Sequence, residues 1–203
     1  MSKTSRNNQK KLSVKDLVTT GIFSAILFVA ILIGGIFFAP NPVLSFYMPI
    51  GSAILGGPVL MLLIAKVPKR GAITIAGILC GIIFFATGMH WAMDLGYIVG
   101  GIVGDLIAGS RKYKNKWLNI LAYSCICLGA TGSYICYFVN TEAWCHYMLN
   151  GGTSASYIEA MNAAAQNWIL AVILIGTVLV SYLSGLVGSC LLKKQFEKAG
   201  ITA

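Results

Sequence analysis

All fifteen lysines and arginines fall in four short clusters, at residues 3–15, 66–70, 111–116 and 193–198, and each cluster borders an apolar run. This spacing is the strongest constraint on the fold. A helix needs ~20 apolar residues to cross a bilayer core, and each stretch between clusters is long enough for two crossings. Six crossings put all four clusters on one side. Loops 1–2, 3–4 and 5–6 then carry no Lys or Arg. Cytoplasmic loops are the ones enriched in Lys and Arg, so both termini are expected in the cytoplasm. A miscount by one helix would scatter the clusters over both sides.

Composition agrees. Hydrophobic residues make up 57% of the chain and charged residues 10%, against roughly 25% charged in a typical soluble domain. The net charge of +9 would suit nucleic acid, but the charges sit at the ends of apolar runs, where they set topology. The N-terminus has the basic-then-apolar order of a secretory signal. Its apolar run is too long and lacks a small-residue cleavage site, so a retained first helix is expected.

The expected fold is all-α: a basic cytoplasmic arm (1–15), a six-helix transmembrane domain (16–192) and a cytoplasmic tail (193–203). The helices are placed at about 16–38, 47–65, 71–89, 92–109, 117–139 and 168–192. Ser13 and Asp16, three apart, mark the first helix start. Ala39-Pro40-Asn41-Pro42 stops that helix. Gly56-Gly57-Pro58 is expected to kink or unwind the second. The long extracellular loop at 140–167 carries Ser156 and Glu159 in capping-box spacing, which predicts a short helix at about 157–165. A structured loop of this length is more often functional than accidental.

Gly96, Gly100 and Gly104 recur every fourth residue, which predicts a flat packing seam. Ser181, Ser184, Gly185 and Gly188 do the same on the last helix, and Gly21 with Ala25 on the first. Most of the six cysteines lie in apolar runs and read as small buried hydrophobes. Cys136 and Cys145 sit near the outer face and are candidates for pairing. Asp105 is expected to pair with Arg111 or Lys112 below it.

Catalytic motifs are missing: no Walker A loop, no His-Glu-x-x-His, no Gly-x-Ser-x-Gly. The six acids do not pair at mid-membrane. Neither enzymatic activity nor a cofactor is expected. The polar residues of the outer side resemble a binding site instead. A small ligand needs a few aimed polar groups among aromatic walls, and His90, Trp91, Asp94, Tyr97, Tyr137, Asn140, Trp144, His146 and Asn167 are the candidates. Any single Trp or Tyr fits an interfacial belt at least as well. His90 and Asp94 together favour function, because ionisable groups beside a membrane are costly to keep. His90, Asp94, Cys145 and His146 have metal-ligand chemistry, but no spacing fixes a geometry, and no metal is expected. With no Lys or Arg outside, multiply charged phosphates lack a counter-charge. A small heterocycle or a cationic ring suits the set better.

Taken together, the chain resembles the S components of energy-coupling-factor (ECF) transporters, and within them the Trep-Strep, or MptD-like, group. The resemblance rests on six helices in about 200 residues, Leu17-Val-Thr-Thr-Gly21-Ile-Phe-Ser-Ala25 after a basic start, Gly57-Pro58 in the second helix, Gly88-Met-His90-Trp91 after the third, and a glycine-rich fourth ending in Gly104-Asp105. It implies a multi-pass protein of a prokaryotic cell membrane that binds a vitamin or other micronutrient. It also implies partners: a transmembrane coupling protein carrying two cytosolic ATPases. The family's Ala-x-x-x-Ala docking motif falls here on Gly21 and Ala25, and glycine for alanine keeps that face small. Substrate would sit near the outer surface, among helices 4 to 6 and loops 1, 3 and 5. Two other classes fit six apolar helices: a self-sufficient channel or facilitator, and a membrane assembly or sensory subunit. The first needs a continuous polar path, and helices 2 and 3 are almost wholly apolar.

Overall fold

The computed structural model describes residues 11–193. The first ten residues of the basic arm and the tail beyond Lys193 lie outside the described residues. Among those described, the regular structure is helical throughout. Helix α1 is Val14–Ile36, and a 3-10 turn at Leu44–Tyr47 leads into α2, Met48–Ser52, and α3, Gly56–Lys66. Then come α4, Ala72–Ala86; α5, Trp91–Ser110; α6, Lys116–Gly129; and α7, Gly132–Val139. Two short helices, α8 (Thr141–Asn150) and α9 (Ala155–Ala164), precede the long α10, Asn167–Leu191.

Four helical stretches are long and apolar enough to cross a membrane: Val14–Ile36, Leu44–Lys66, Trp91–Ser110 and Asn167–Leu191. Helices α6 and α7, bent by 47° at their junction, make a fifth if counted as one. Helix α4 is apolar but has only 15 residues. Apolar residues also cover the outside. On α1, Thr20, Ser24, Leu27 and Ile31 are buried, while Val18, Ile22, Ile26, Val29 and Ile33 face outward. A surface of this kind is suited to lipid rather than water.

Helix α1 begins as Ser13 and Asp16 suggest. Asp16 N–H donates to Ser13 Oγ at 3.3 Å, and Ser13 N–H donates to Asp16 Oδ2 at 2.7 Å. The second segment breaks at Ala53–Leu55, directly before Gly56-Gly57-Pro58, near where that signal is expected to interrupt it. Pro58 sits in the first turn of α3, where its missing N–H costs nothing. The carbonyls freed by the break are taken up by other helices. Tyr123 of α6 donates its hydroxyl to Ala53 O at 2.8 Å, and Ser184 of α10 donates to Ile54 O at 2.5 Å while accepting from Gly57 N–H at 3.1 Å. In an apolar medium every such group needs a partner within the protein.

The glycine seam of α5 packs on α6. A Cβ at Gly104 would lie 2.8 Å from Ala122 O, and one at Gly96 or Gly100 would collide with the α6 backbone. On the other side of α5, a Cβ at Gly77 of α4 would lie 2.6 Å from Tyr97 O. Helices α4, α5 and α6 thus form a tightly packed layer. Small residues allow backbones this close.

At one end of the bundle, Lys69 pairs with Asp16 at 2.5 Å. Asp105 sits beside this ion pair, and its contacts differ from the expected pairing with Arg111 or Lys112. Its carboxylate accepts from Gly71 N–H (2.9 Å), Ile73 N–H (3.3 Å) and the Tyr113 hydroxyl (3.1 Å). It therefore caps the start of α4, where a negative group is favoured. These contacts gather the basic residues around 15, 66–70 and 111–116 at one end. The C-terminus of α1 and the N-terminus of α5 lie at the other.

Candidate ligand-binding site

The end away from the basic residues holds a cavity of about 250 Å³. Ala39 and Ser45 line it from the connection after α1, Met48 from the start of α2, Met89 and His90 from the turn before α5, and Met93 from α5 itself. Ser133 and Tyr134 come from α7, Trp144 and Met148 from α8, and Thr153, Ser154, Tyr157 and Met161 from α9 and its approach. Five of the chain's seven methionines are in this wall. Thioethers are soft and adaptable, and they pack well against aromatic rings.

The roof consists of two short helices, one more than expected for 140–167. The Asn140 side chain caps α8 by accepting from Ala143 N–H at 3.0 Å. Ser154 caps α9, accepting from Tyr157 N–H at 3.3 Å, so α9 starts two residues before the position that Ser156 and Glu159 indicate. Tyrosine hydroxyls fasten the roof. Tyr157 donates to Ala39 O at 2.7 Å and Tyr137 donates to Asn162 Oδ1 at 2.7 Å, while below the roof Tyr134 of α7 donates to Ser45 O. Tyr137 also stands edge-on to both Trp144 (5.1 Å) and Phe46 (5.3 Å).

His90 is the N-cap of α5. Its Nδ1 accepts from Ala92 N–H at 3.2 Å, which places the proton of the neutral imidazole on Nε2. Burial lowers its pKa below the ordinary histidine value, because a charged ring loses hydration there. The ring stacks near Trp144, with centroids 6.3 Å apart at 22°, and meets Tyr147 edge-on at 4.7 Å. Trp144 is fixed in turn by its indole N–H, which donates to Ser133 Oγ at 3.0 Å. Beyond this pair lies a second cleft of about 230 Å³, lined by His90, Trp91, Asn140, Trp144 and Tyr147 among others.

Of the nine residues singled out in the sequence, His90 and Trp144 line the main cavity, and Trp91 and Asn140 join them in the second cleft. Tyr137 stands behind Trp144. Asp94 is buried one turn below His90, and neither carboxylate oxygen has a hydrogen-bond partner among the described residues. Tyr97 lies deeper, stacked on Phe84 at 5.0 Å and 17°. His146 is exposed on the outer side of α8, 3.2 Å from Asn150 Nδ2. Asn167 is exposed at the start of α10. The methionines, Ser45, Ser133, Ser154 and Tyr157 are additions. A methionine inside an apolar run carries no sequence signal for a cavity.

Cys136 and Cys145 are both free thiols. Among the described residues no three His, Cys, Asp or Glu side chains converge in a way that could hold a metal ion.

The outward apolar surface and the roofed cavity define a polytopic helical membrane protein with a candidate small-molecule site at one end. The chain belongs to the Trep_Strep family, described as hypothetical bacterial integral membrane proteins, whose profile matches residues 14–198. Neither a curated protein nor a solved structure matches it.

Proposed function

We propose that this chain is the substrate-binding subunit, or S component, of an ATP-driven ECF-type uptake transporter for a small micronutrient. The observation that carries the reading is the cavity of about 250 Å³ under α8 and α9, at the end opposite the basic residues. Its walls come from several separate parts of the chain, so a ligand held there would be contacted by many elements rather than sit on one helix.

The same reading makes α4 the sixth crossing. At ~1.5 Å per residue its 15 residues reach about 22 Å, and Gly71 and residues 87–89, which carry no charge, add length at its two ends. Six crossings place both termini in the cytoplasm with the basic end, and the cavity outside. On α1, Ala25 is exposed, and a Cβ at Gly21 would meet nothing within 4 Å. That face is open to a coupling protein carrying two cytosolic ATPases. ATP hydrolysis then belongs to those partners, and this chain captures the ligand and reorients against them.

Affinity purification from native membranes tests the partnership. A coupling protein and ATPases should copurify, and Gly21→Leu should release them while ligand binding persists. Recovery of the chain alone, with uptake unaffected by Gly21→Leu, would refute it. Uptake into liposomes by the purified chain without ATP would favour a facilitator instead.

A further inference from the structure

The Asp94 carboxylate is the feature that the fold leaves unexplained. Its residue is 4% exposed, and both oxygens are buried without a hydrogen-bond partner among the described residues. Buried polar groups in native proteins are almost always partnered, and an unpaired carboxylate is among the costliest to bury. Asp105, the other buried carboxylate, accepts three hydrogen bonds. The contrast marks Asp94 as waiting for a group from outside the chain.

Its position says where that group would come from. His90 and Met93 line the cavity, and Asp94 follows His90 by four residues, on the same helix face. Side chains on a helix lean toward its N-terminus. For α5 that end is the cavity, so Asp94 stands one turn beneath the lining residue His90 without itself belonging to the lining. No Lys, Arg, Asp or Glu lines the cavity itself. The lining is methionine thioethers, the rings of Tyr134, Trp144 and Tyr157, the imidazole of His90 and a few Ser and Thr hydroxyls. Aromatic faces attract cations through the ring quadrupole, most strongly where water is excluded. An anion would meet these ring faces with a carboxylate beneath. A neutral ligand with an N–H or O–H donor would satisfy a carboxylate oxygen but leave its charge uncompensated. A bare metal ion finds too few ligating groups among the described residues.

We infer that the cavity takes an organic monocation, a compact apolar or aromatic body with one positive charge, paired with Asp94 and enclosed by Trp144, Tyr134 and Tyr157. This rests on the reading of the chain as a ligand-binding subunit and narrows it to one charge class.

The test uses the purified full chain and three probe pairs of matched shape: choline with 3,3-dimethylbutan-1-ol, N-methylpyridinium with toluene, and benzyltrimethylammonium with neopentylbenzene. Calorimetry measures affinity, and the ligand-induced change in tryptophan fluorescence that is lost in Trp144→Phe reports occupancy. At least one cation should bind tenfold or more tightly than its neutral partner. Asp94→Asn should abolish that preference and Asp94→Glu should retain it. Equal binding within every pair, no binding of any cation, or a preference that survives Asp94→Asn overturns the inference. Native mass spectrometry of gently purified wild type reads the same question without a variant. A retained cation supports the inference. A retained neutral or anionic molecule overturns it while leaving the binding-subunit reading standing, whereas a chain that neither retains nor binds any small molecule counts against both.

Discussion

The imidazole of His90 and the indole of Trp144 lie 6.3 Å apart at 22° and form the wall shared by two clefts. One ring belongs to the turn before α5 and the other to the roof, so this contact joins the roof to the bundle. Trp144→Ala should merge the clefts and leave Ser133 Oγ without its donor. The expected loss is about 3 kcal/mol, as for other buried Trp truncations. It is read as a lower melting temperature in detergent, together with lost ligand retention. Trp144→Phe should keep most of the stability.

His90 gives the protein a pH dependence of definite sign. Burial depresses its pKa in the folded state, while the unfolded value is about 6.5. The unfolded chain therefore binds the proton more readily. Stability from the neutral ring is present in full above about pH 6.5 and is lost as pH falls through the lower folded-state value. His90→Asn keeps an oxygen acceptor for the N-cap and removes the titration. Melting temperatures of the two proteins should diverge in slope between pH 7 and 5, with wild type the steeper. Parallel curves would contradict this.

The break between α2 and α3 depends on side chains from two other helices. Tyr123→Phe leaves Ala53 O unpaired, and Ser184→Ala leaves both Ile54 O and Gly57 N–H unpaired. Each orphaned buried group costs about 1–3 kcal/mol, so Ser184→Ala should be the more damaging. Thermal unfolding of the two single variants checks the order.

Asp105→Ala frees two backbone donors at the start of α4 and the Tyr113 hydroxyl. A loss of about 2–4 kcal/mol is expected, from unsatisfied donors and the lost cap. Hydrogen exchange should show the first turn of α4 opening, with the amides of α9 unchanged.

Much of the scaffold is legible in the sequence. Apolar runs bounded by basic clusters locate the long helices, and the Gly96–Gly100–Gly104 period locates the tightest seam. Ser13 with Asp16 marks the first helix start. Local signals mislead where two compete. Ser154 and Ser156 can each cap a helix, and the three-dimensional path selects Ser154. The break at Ala53–Leu55 adjoins Gly56-Gly57-Pro58, as that signal suggests, but Tyr123 and Ser184, which take up the freed groups, are distant in sequence and give no local sign. His90 and Trp144 stand out because polar and aromatic residues near a membrane edge are conspicuous. Met48 and Met161 are silent, since a thioether looks like any other apolar side chain until its neighbours are known.

The methionine wall also fixes how the cavity would age chemically. Met48, Met89 and Met148 are only half-buried, within reach of peroxide. Each thioether that gains an oxygen becomes a polar sulfoxide, which swaps an adaptable apolar surface for a rigid dipole. On the proposed role, oxidation of these thioethers would blunt ligand capture, and a sulfoxide reductase would restore it.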